Sequence, residues 1–216
     1  MSNYIVALDG PSGSGKSTIA NLLANKLKIS YLNTGSMYRA LTLYFLENNI
    51  KKSENIDIKI LKKINIDINE DKVFLNGKDV SQEIRDKEVT ENVSWVSSIP
   101  VVREYLVEMQ RKISNNKSII LDGRDIGTVV FPDAKYKFYL DASSFVRAKR
   151  RFEQNEIDKS FEEIKKDIEK RDYLDSHREI SPLKKAEDAI EIDSSDLTID
   201  QTIEKILEKM DKEDVL

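Results

Sequence analysis

Residues 4–18, YIVALDGPSGSGKST, leave little freedom to the fold. The run 4–8 is short and apolar and stops at Asp9-Gly10, the pattern of a buried strand. Gly10-Pro11-Ser12-Gly13-Ser14-Gly15-Lys16-Ser17 then fits G-x-x-x-x-G-K-[ST], and apolar residues at helical spacing continue over 16–29. Glycines let the backbone curl so that successive N–H groups point inward at an anion. A helix starting at Lys16 adds its positive end. Lys16 itself supplies a mobile point charge for β and γ phosphates, and the hydroxyl of Ser17 is a ligand for Mg²⁺, with Thr18 beside it. A plain Gly/Ser turn matches the same spacing, but it requires neither the strand before it nor the helix after it. The stretch therefore predicts a strand, a phosphate-binding loop and a helix, with ATP held by residues 10 to 18.

The rest of the chain repeats the alternation. SIILDG (118–123), YKFYLDA (136–142) and DAIEID (188–193) read as short strands, the first two ending in Asp like central parallel strands. Helical patterns are expected from Thr34, over 86–97, after Pro100 and over 198–210, with a further short one at 53–63. SSFVRAKRRFEQN and SFEEIKKDIEKRDYLDS are helical, and Ser160 with Glu163 makes a capping box, as do Thr198 and Gln201. Between 64 and 94 the texture changes to INIDIN and KVFLNGKDV, with Asn76-Gly77 as a hairpin dipeptide, which predicts a small antiparallel insertion. Strands alternating with helices predict an α/β fold with a parallel sheet covered on both faces. The last few residues are expected to fray.

Composition excludes several classes. Thirty-five Lys and Arg against 39 Asp and Glu leave a net charge of −4, so no bulk field draws the chain to nucleic acid or an acidic membrane. The absence of cysteine removes disulfides and cysteine-based metal sites and suits a cytoplasmic setting. MSNYIVALDG lacks the basic start and long apolar run of a signal peptide, and no run reaches the ~18 apolar residues of a membrane span.

A phosphate loop serves a switch, a motor or a kinase; the remaining charges decide between them. Asp122, at the end of a buried-looking strand, is the expected metal carboxylate beside Ser17, and Asp9 is a weaker candidate. Arg147, Arg150 and Arg151 share one helix face, and Arg171, Asp175 and Arg178 repeat the spacing in the next helix. On an arbitrary chain these would be solvated faces. Beside a phosphate loop they become fixed cations for a transferring phosphoryl group, for which a planar guanidinium fork suits better than lysine. A switch needs no such cradle. The one histidine, His177, reads as a surface residue, and Trp95 and the aromatics of 138–140 read as core.

DGPSGSGKST, NTGSMYRA, DVSQEIR, LDGRDIGTVVFPDA, FYLDASS.VRAKRR and KRDYLDSHREISPL resemble the bacterial cytidylate kinases over residues 4–207. DGRDIGTVVFPDA is the specific part; the phosphate loop is shared with other nucleoside monophosphate kinases. The resemblance implies a P-loop NTPase-type five-stranded parallel sheet flanked by helices, a small antiparallel β insertion and a short helical lid. It implies a single domain, with core 1–63, 95–145 and 180–216, insertion 64–94 and lid 146–179. It implies transfer of the γ-phosphate of ATP to CMP or dCMP with Mg²⁺, by a monomer. Thr34 and Arg39 would hold the acceptor phosphate together with Arg124. Ser94, Arg103, Asp125 and Arg178 would address the cytosine, with Asp122 and Tyr38 near the substrate. Arg171 and Asp175 would address the sugar hydroxyls or nearby phosphates. Arg147, Arg150 and Arg151 would form the lid over the triphosphate, and Lys16, Arg124, Arg147 and Arg151 would carry catalysis. Asn33-Thr34-Gly35 stands where the family has D-S-G, and Gly15-Lys16-Ser17-Thr18 where many members have G-K-G-T. The alternatives are a UMP, AMP or small-metabolite kinase such as one for shikimate, or a nucleotide-binding switch.

Overall fold

The computed structural model describes residues 3–52, 55–69, 72–154 and 159–215. The chain divides into two compact units: residues up to Tyr31 with those from Asn116 onward, and residues Leu32–Asn115.

The first unit is built on parallel strands in the order β2-β6-β1-β7-β8. These are β1 (Ile5–Asp9), β2 (Ser30–Asn33, whose last two residues begin the second unit), β6 (Ile119–Gly123), β7 (Tyr136–Asp141) and β8 (Ile190–Asp193). β1 is central, running from Ile5 opposite Ile119 to Asp9 opposite Gly123 on one side, and from Val6 opposite Tyr136 on the other. Strands covered on both faces must be apolar throughout, and Val6, Ala7, Leu8, Ile119, Ile120 and Leu121 are all essentially inaccessible. α1 (Lys16–Leu27) and α8 (Ile199–Leu207) bury Ile19, Leu23, Ile203 and Ile206 against Val6, Ile120 and Phe138. α6 (Ser144–Glu153) packs with α7 (Phe161–His177) through Ala148, Ile164 and Ile168. The polar ends Asp9, Asp122 and Asp141 fall at the carboxyl edge of the sheet, beside the switch in strand order at β1, where open α/β sheets bind ligands.

The second unit holds α2 (Thr34–Glu47), α3 (Ile58–Leu61), α4 (Lys87–Val96), α5 (Pro100–Ile113) and an antiparallel sheet, β3 (Ile66–Asn69), β4 (Lys72–Leu75) and β5 (Lys78–Asp79). Alternation places Ile66, Val73 and Leu75 inside. Asn76 and Gly77 both take positive φ, 50° and 82°, the turn whose twist matches that of its strands. Trp95 packs on Phe45 with ring centroids 6.1 Å apart.

Both capping boxes form. Residues 30–33 supply the second of the five strands, too short to carry a periodicity of its own. Residues 126–130 form a single π-helical turn. Near the chain end, α9 (Lys212–Val215) is held where Tyr136 donates to Asp214 and the Tyr4 hydroxyl donates to the Asp214 carbonyl. No helix among the described residues is long and apolar enough to cross a membrane.

Candidate active site

The loop between β1 and α1 depends on two backbone positions. A Cβ on Gly10 would stand 2.1 Å from the carbonyl oxygen of Leu140, so only glycine lets the loop lie this close to β7. Gly15 is the N-cap of α1 with φ 91° and has no side chain with which to cap it. By contrast Asn33, Ser143, Ser160 and Thr198 cap α2, α6, α7 and α8 with their own oxygens. The start of α1 is thus arranged for an external anion. Lys16 is buried, its ammonium donating to the Pro11 carbonyl at 2.6 Å and the Ser14 hydroxyl at 3.2 Å. Burial first, then the charge of Arg124, pushes its pKa well below the usual lysine value, while Asp122, Asp9 and Asp172 pull it back.

Ser17 donates to one oxygen of Asp122 at 2.8 Å and Tyr31 donates to the other at 2.9 Å. Burial raises the pKa of Asp122, opposed by Lys16, Ser17, Tyr31 and Arg124. A hydroxyl and a carboxylate in contact are hard oxygen donors that fit Mg²⁺, which takes one or two protein ligands and completes its shell with phosphate and water. Ser17 is the hydroxyl brought to Asp122. Asp9 does not join them: its carboxylate accepts from the backbone N–H groups of Ile126 at 2.8 Å and Gly127 at 2.7 Å. Burial lifts its pKa to about 7 against the lowering effect of those two bonds.

The three arginines of α6 do different things. Arg147 donates to the carbonyls of Ala142 and Ser12 and pairs with Asp172, which in turn accepts from the Ser12 N–H at 2.9 Å. Arg150 reaches the carbonyl of Ser14 at 3.4 Å and the hydroxyl of Ser194 at 3.2 Å. Arg151 donates to Gln154 at 3.2 Å. Arg147 and Arg150 therefore grip the loop backbone itself.

A second group of charges surrounds α7. Arg124 pairs with buried Asp175 at 3.0 Å, Arg171 lies 3.9 Å from the same carboxylate oxygen, and Arg178 lies 3.7 Å from Asp125. Burial alone would raise the pKa of Asp175, but Arg124, Arg171 and Arg178 outweigh it and hold the carboxyl below its usual range. Burial and Arg124 lower that of Arg171. Guanidiniums crowded around buried carboxylates are an arrangement that can take an anionic ligand.

Within the second unit Arg103 is buried, lies over the Tyr38 ring at 5.5 Å and donates to the Ser97 carbonyl at 3.3 Å. Arg39 donates to the Ile84 carbonyl and the Thr90 hydroxyl, both at 2.9 Å. Thr34 is the buried first residue of α2, and half-buried Ser94 lies on α4.

The model of the family described as cytidylate kinase matches residues 6–212. The chain belongs to the cytidylate kinase family. Among curated cytidylate kinases it is 54% identical to that of Fusobacterium nucleatum, covering 98% of this chain and 99% of the relative. It is 48% identical to that of Clostridium botulinum (95% and 97%) and 49% identical to that of Lactobacillus johnsonii (97% and 96%). Among solved structures, an uncharacterised protein from Eubacterium ventriosum superposes with TM-score 0.53 at 14% identity, over 97% of this chain and 99% of that one, a likeness of fold alone.

For this member of the cytidylate kinase family, sequence reasoning missed Tyr31 on Asp122, and Asp172 between Arg147 and Ser12. Asp172 stands beside Arg171 and carried a faint signal as the second residue of an Arg-Asp pair. Tyr31 carried none, since its partner is 91 residues away.

Proposed function

We infer that the chain transfers the γ-phosphate of ATP to CMP or dCMP, giving ADP and CDP or dCDP. Support comes from the family membership and from one observation above all. Beside a loop built for a triphosphate, Arg124, Arg171 and Arg178 gather around two carboxylates as a second cationic cradle. A nucleotide switch has no use for one.

On this reading ATP lies on the loop 10–15 and the start of α1, with Lys16 on its β and γ oxygens, and Ser17 and Asp122 would hold Mg²⁺, which would supply charge neutralisation to the transferring phosphoryl group. A phosphate oxygen of the acceptor is already ionised at neutral pH, so it attacks without a general base. The new bond forms between that oxygen and the γ-phosphorus as the bond to the bridging β-oxygen breaks, in line, and ADP leaves. No covalent enzyme intermediate is needed: the chain has no cysteine, and His177 is stacked on Tyr173 at an exposed helix end. Thr34, Arg39 and Arg124 hold the acceptor phosphate. Ser94, Arg103, Asp125 and Arg178 address the base, with Tyr38 behind Arg103. Arg171 and Asp175 address the sugar. Arg147 and Arg150 steady the loop, and Arg151 completes the cover that keeps water from the γ-phosphate. The chain works as a monomer in the cytoplasm.

A coupled assay with ATP and CMP, dCMP, UMP, AMP and GMP tests the assignment. CMP and dCMP are expected to be consumed fastest; preference for UMP or AMP would overturn the cytidylate reading, and ATP held without turnover would overturn the kinase. Arg39→Ala should raise KM for CMP by roughly two orders of magnitude, the scale of a lost charge-assisted phosphate contact, while ATP still binds. Equal loss of ATP binding would remove Arg39 from the acceptor site.

A further inference from the structure

Asp9 is a buried carboxylate that the chemistry above does not use. It ends β1, is 4% exposed, and spends both oxygens on consecutive backbone N–H groups, those of Ile126 and Gly127. These two amides open the π-helical turn 126–130. The first N–H groups of any helical turn lack partners within it, and an aspartate at the N-cap is the usual remedy. The N-cap here is an aspartate, Asp125, yet its side chain makes no capping bond. It faces Arg178 instead, at 3.7 Å. Asp9 supplies the missing cap from another strand.

The consequence falls on two residues. At one end, Gly123 is fixed by its pairing with Asp9 in the sheet. At the other, Ile126 and Gly127 are fixed by the Asp9 carboxylate. The residues between are Arg124, which pairs with Asp175, and Asp125. We propose that Asp9 is a positioning residue for the acceptor site: it caps the turn in place of Asp125, whose carboxylate faces Arg178, and so holds Arg124 and Asp125 at both ends. This rests on the kinase reading for its effect on catalysis, though not for the capping itself. The contact is tight as well as polar. A Cβ on Gly127 would come within 3.4 Å of the Asp9 oxygen and 3.3 Å of the Lys137 side chain.

Asp9→Asn keeps the volume but offers one acceptor and turns an N–H₂ donor toward the second amide. Displacing a positioned group by about 1 Å costs on the order of a hundredfold, so KM for CMP is expected to rise about tenfold or more. KM for ATP is expected to move less than about threefold, because the Asp9 side chain is bonded to the Ile126 and Gly127 amides and reaches the loop only as a minor charge on Lys16, behind Arg124 and Asp122. Gly127→Ala, which leaves Asp9 in place and crowds the same contact, should give the same asymmetry. Amide exchange at Ile126 and Gly127 should quicken in Asp9→Asn by about tenfold, the loss of one hydrogen bond, while β1 and α1 keep their protection. Equal rises in both KM values, or an unchanged KM for CMP in both variants, would overturn the proposal, as would unchanged exchange at the two amides. Should the unaltered protein phosphorylate neither CMP nor dCMP, the kinase reading fails, while the exchange measurement still judges the cap.

Discussion

Exchange of Lys16 for methionine is expected to lower kcat by roughly 10²–10³-fold, the scale of removing one preorganised charge stabiliser from a phosphoryl-transfer site. Methionine keeps most of the length and none of the charge. The ammonium sits in a buried pocket between the Pro11 carbonyl and the Ser14 hydroxyl, so it must bring its charge to the phosphates already stripped of most water. Burial and Arg124 depress its pKa, and Asp122, Asp9 and Asp172 hold against that shift. A bound triphosphate strengthens that hold. Because a desolvated cation contributes little to the fold, thermal unfolding of the variant should stay near that of the parent. Loss of rate with the melting transition preserved separates chemistry from folding. A variant within tenfold of the parent rate would show that the loop amides and arginines suffice.

Arg124→Met is expected to cost about 3 kcal/mol of stability as well as activity. Its partner Asp175 has a side chain only 5% exposed, and breaking a buried pair leaves the surviving charge with its desolvation uncompensated. The cost stays at the low end because Arg171 remains at 3.9 Å. The sign with pH follows from the depressed pKa of Asp175. A carboxylate whose folded value lies below its unfolded value of 3.8 contributes stability above that pH and loses it as pH falls through the folded value. The gap between parent and variant in urea unfolding should therefore be full at pH 7 and shrink below about pH 4. Adding Asp175→Leu removes the stranded carboxylate and should restore most of the stability but none of the activity. Equal stability of parent and Arg124→Met at pH 7 would show that the pair does not form in solution.

Arrangements that depend on neighbours a few residues apart are legible along the chain. The strand–loop–helix of residues 5–27, the capping boxes at Ser160 and Thr198 and the Asn76-Gly77 hairpin are all local arrangements. Their geometry is set by side chains one to four positions away, so spacing alone predicts them. The types of residue at the site were legible for the same reason: a lysine closing a glycine loop, a carboxylate ending a strand, arginines three and four apart on one helix. Which charge meets which is set by the folded chain. Ser17 meets Asp122 across 105 positions, Arg124 meets Asp175 across 51, and Asp9 reaches Gly127 across 118. A periodicity says which face a side chain occupies, but nothing in it chooses among several aspartates that share an edge. The choice is made where parallel strands in the order β2-β6-β1-β7-β8 bring their carboxyl ends together, and where burial makes an unpaired charge too costly to leave.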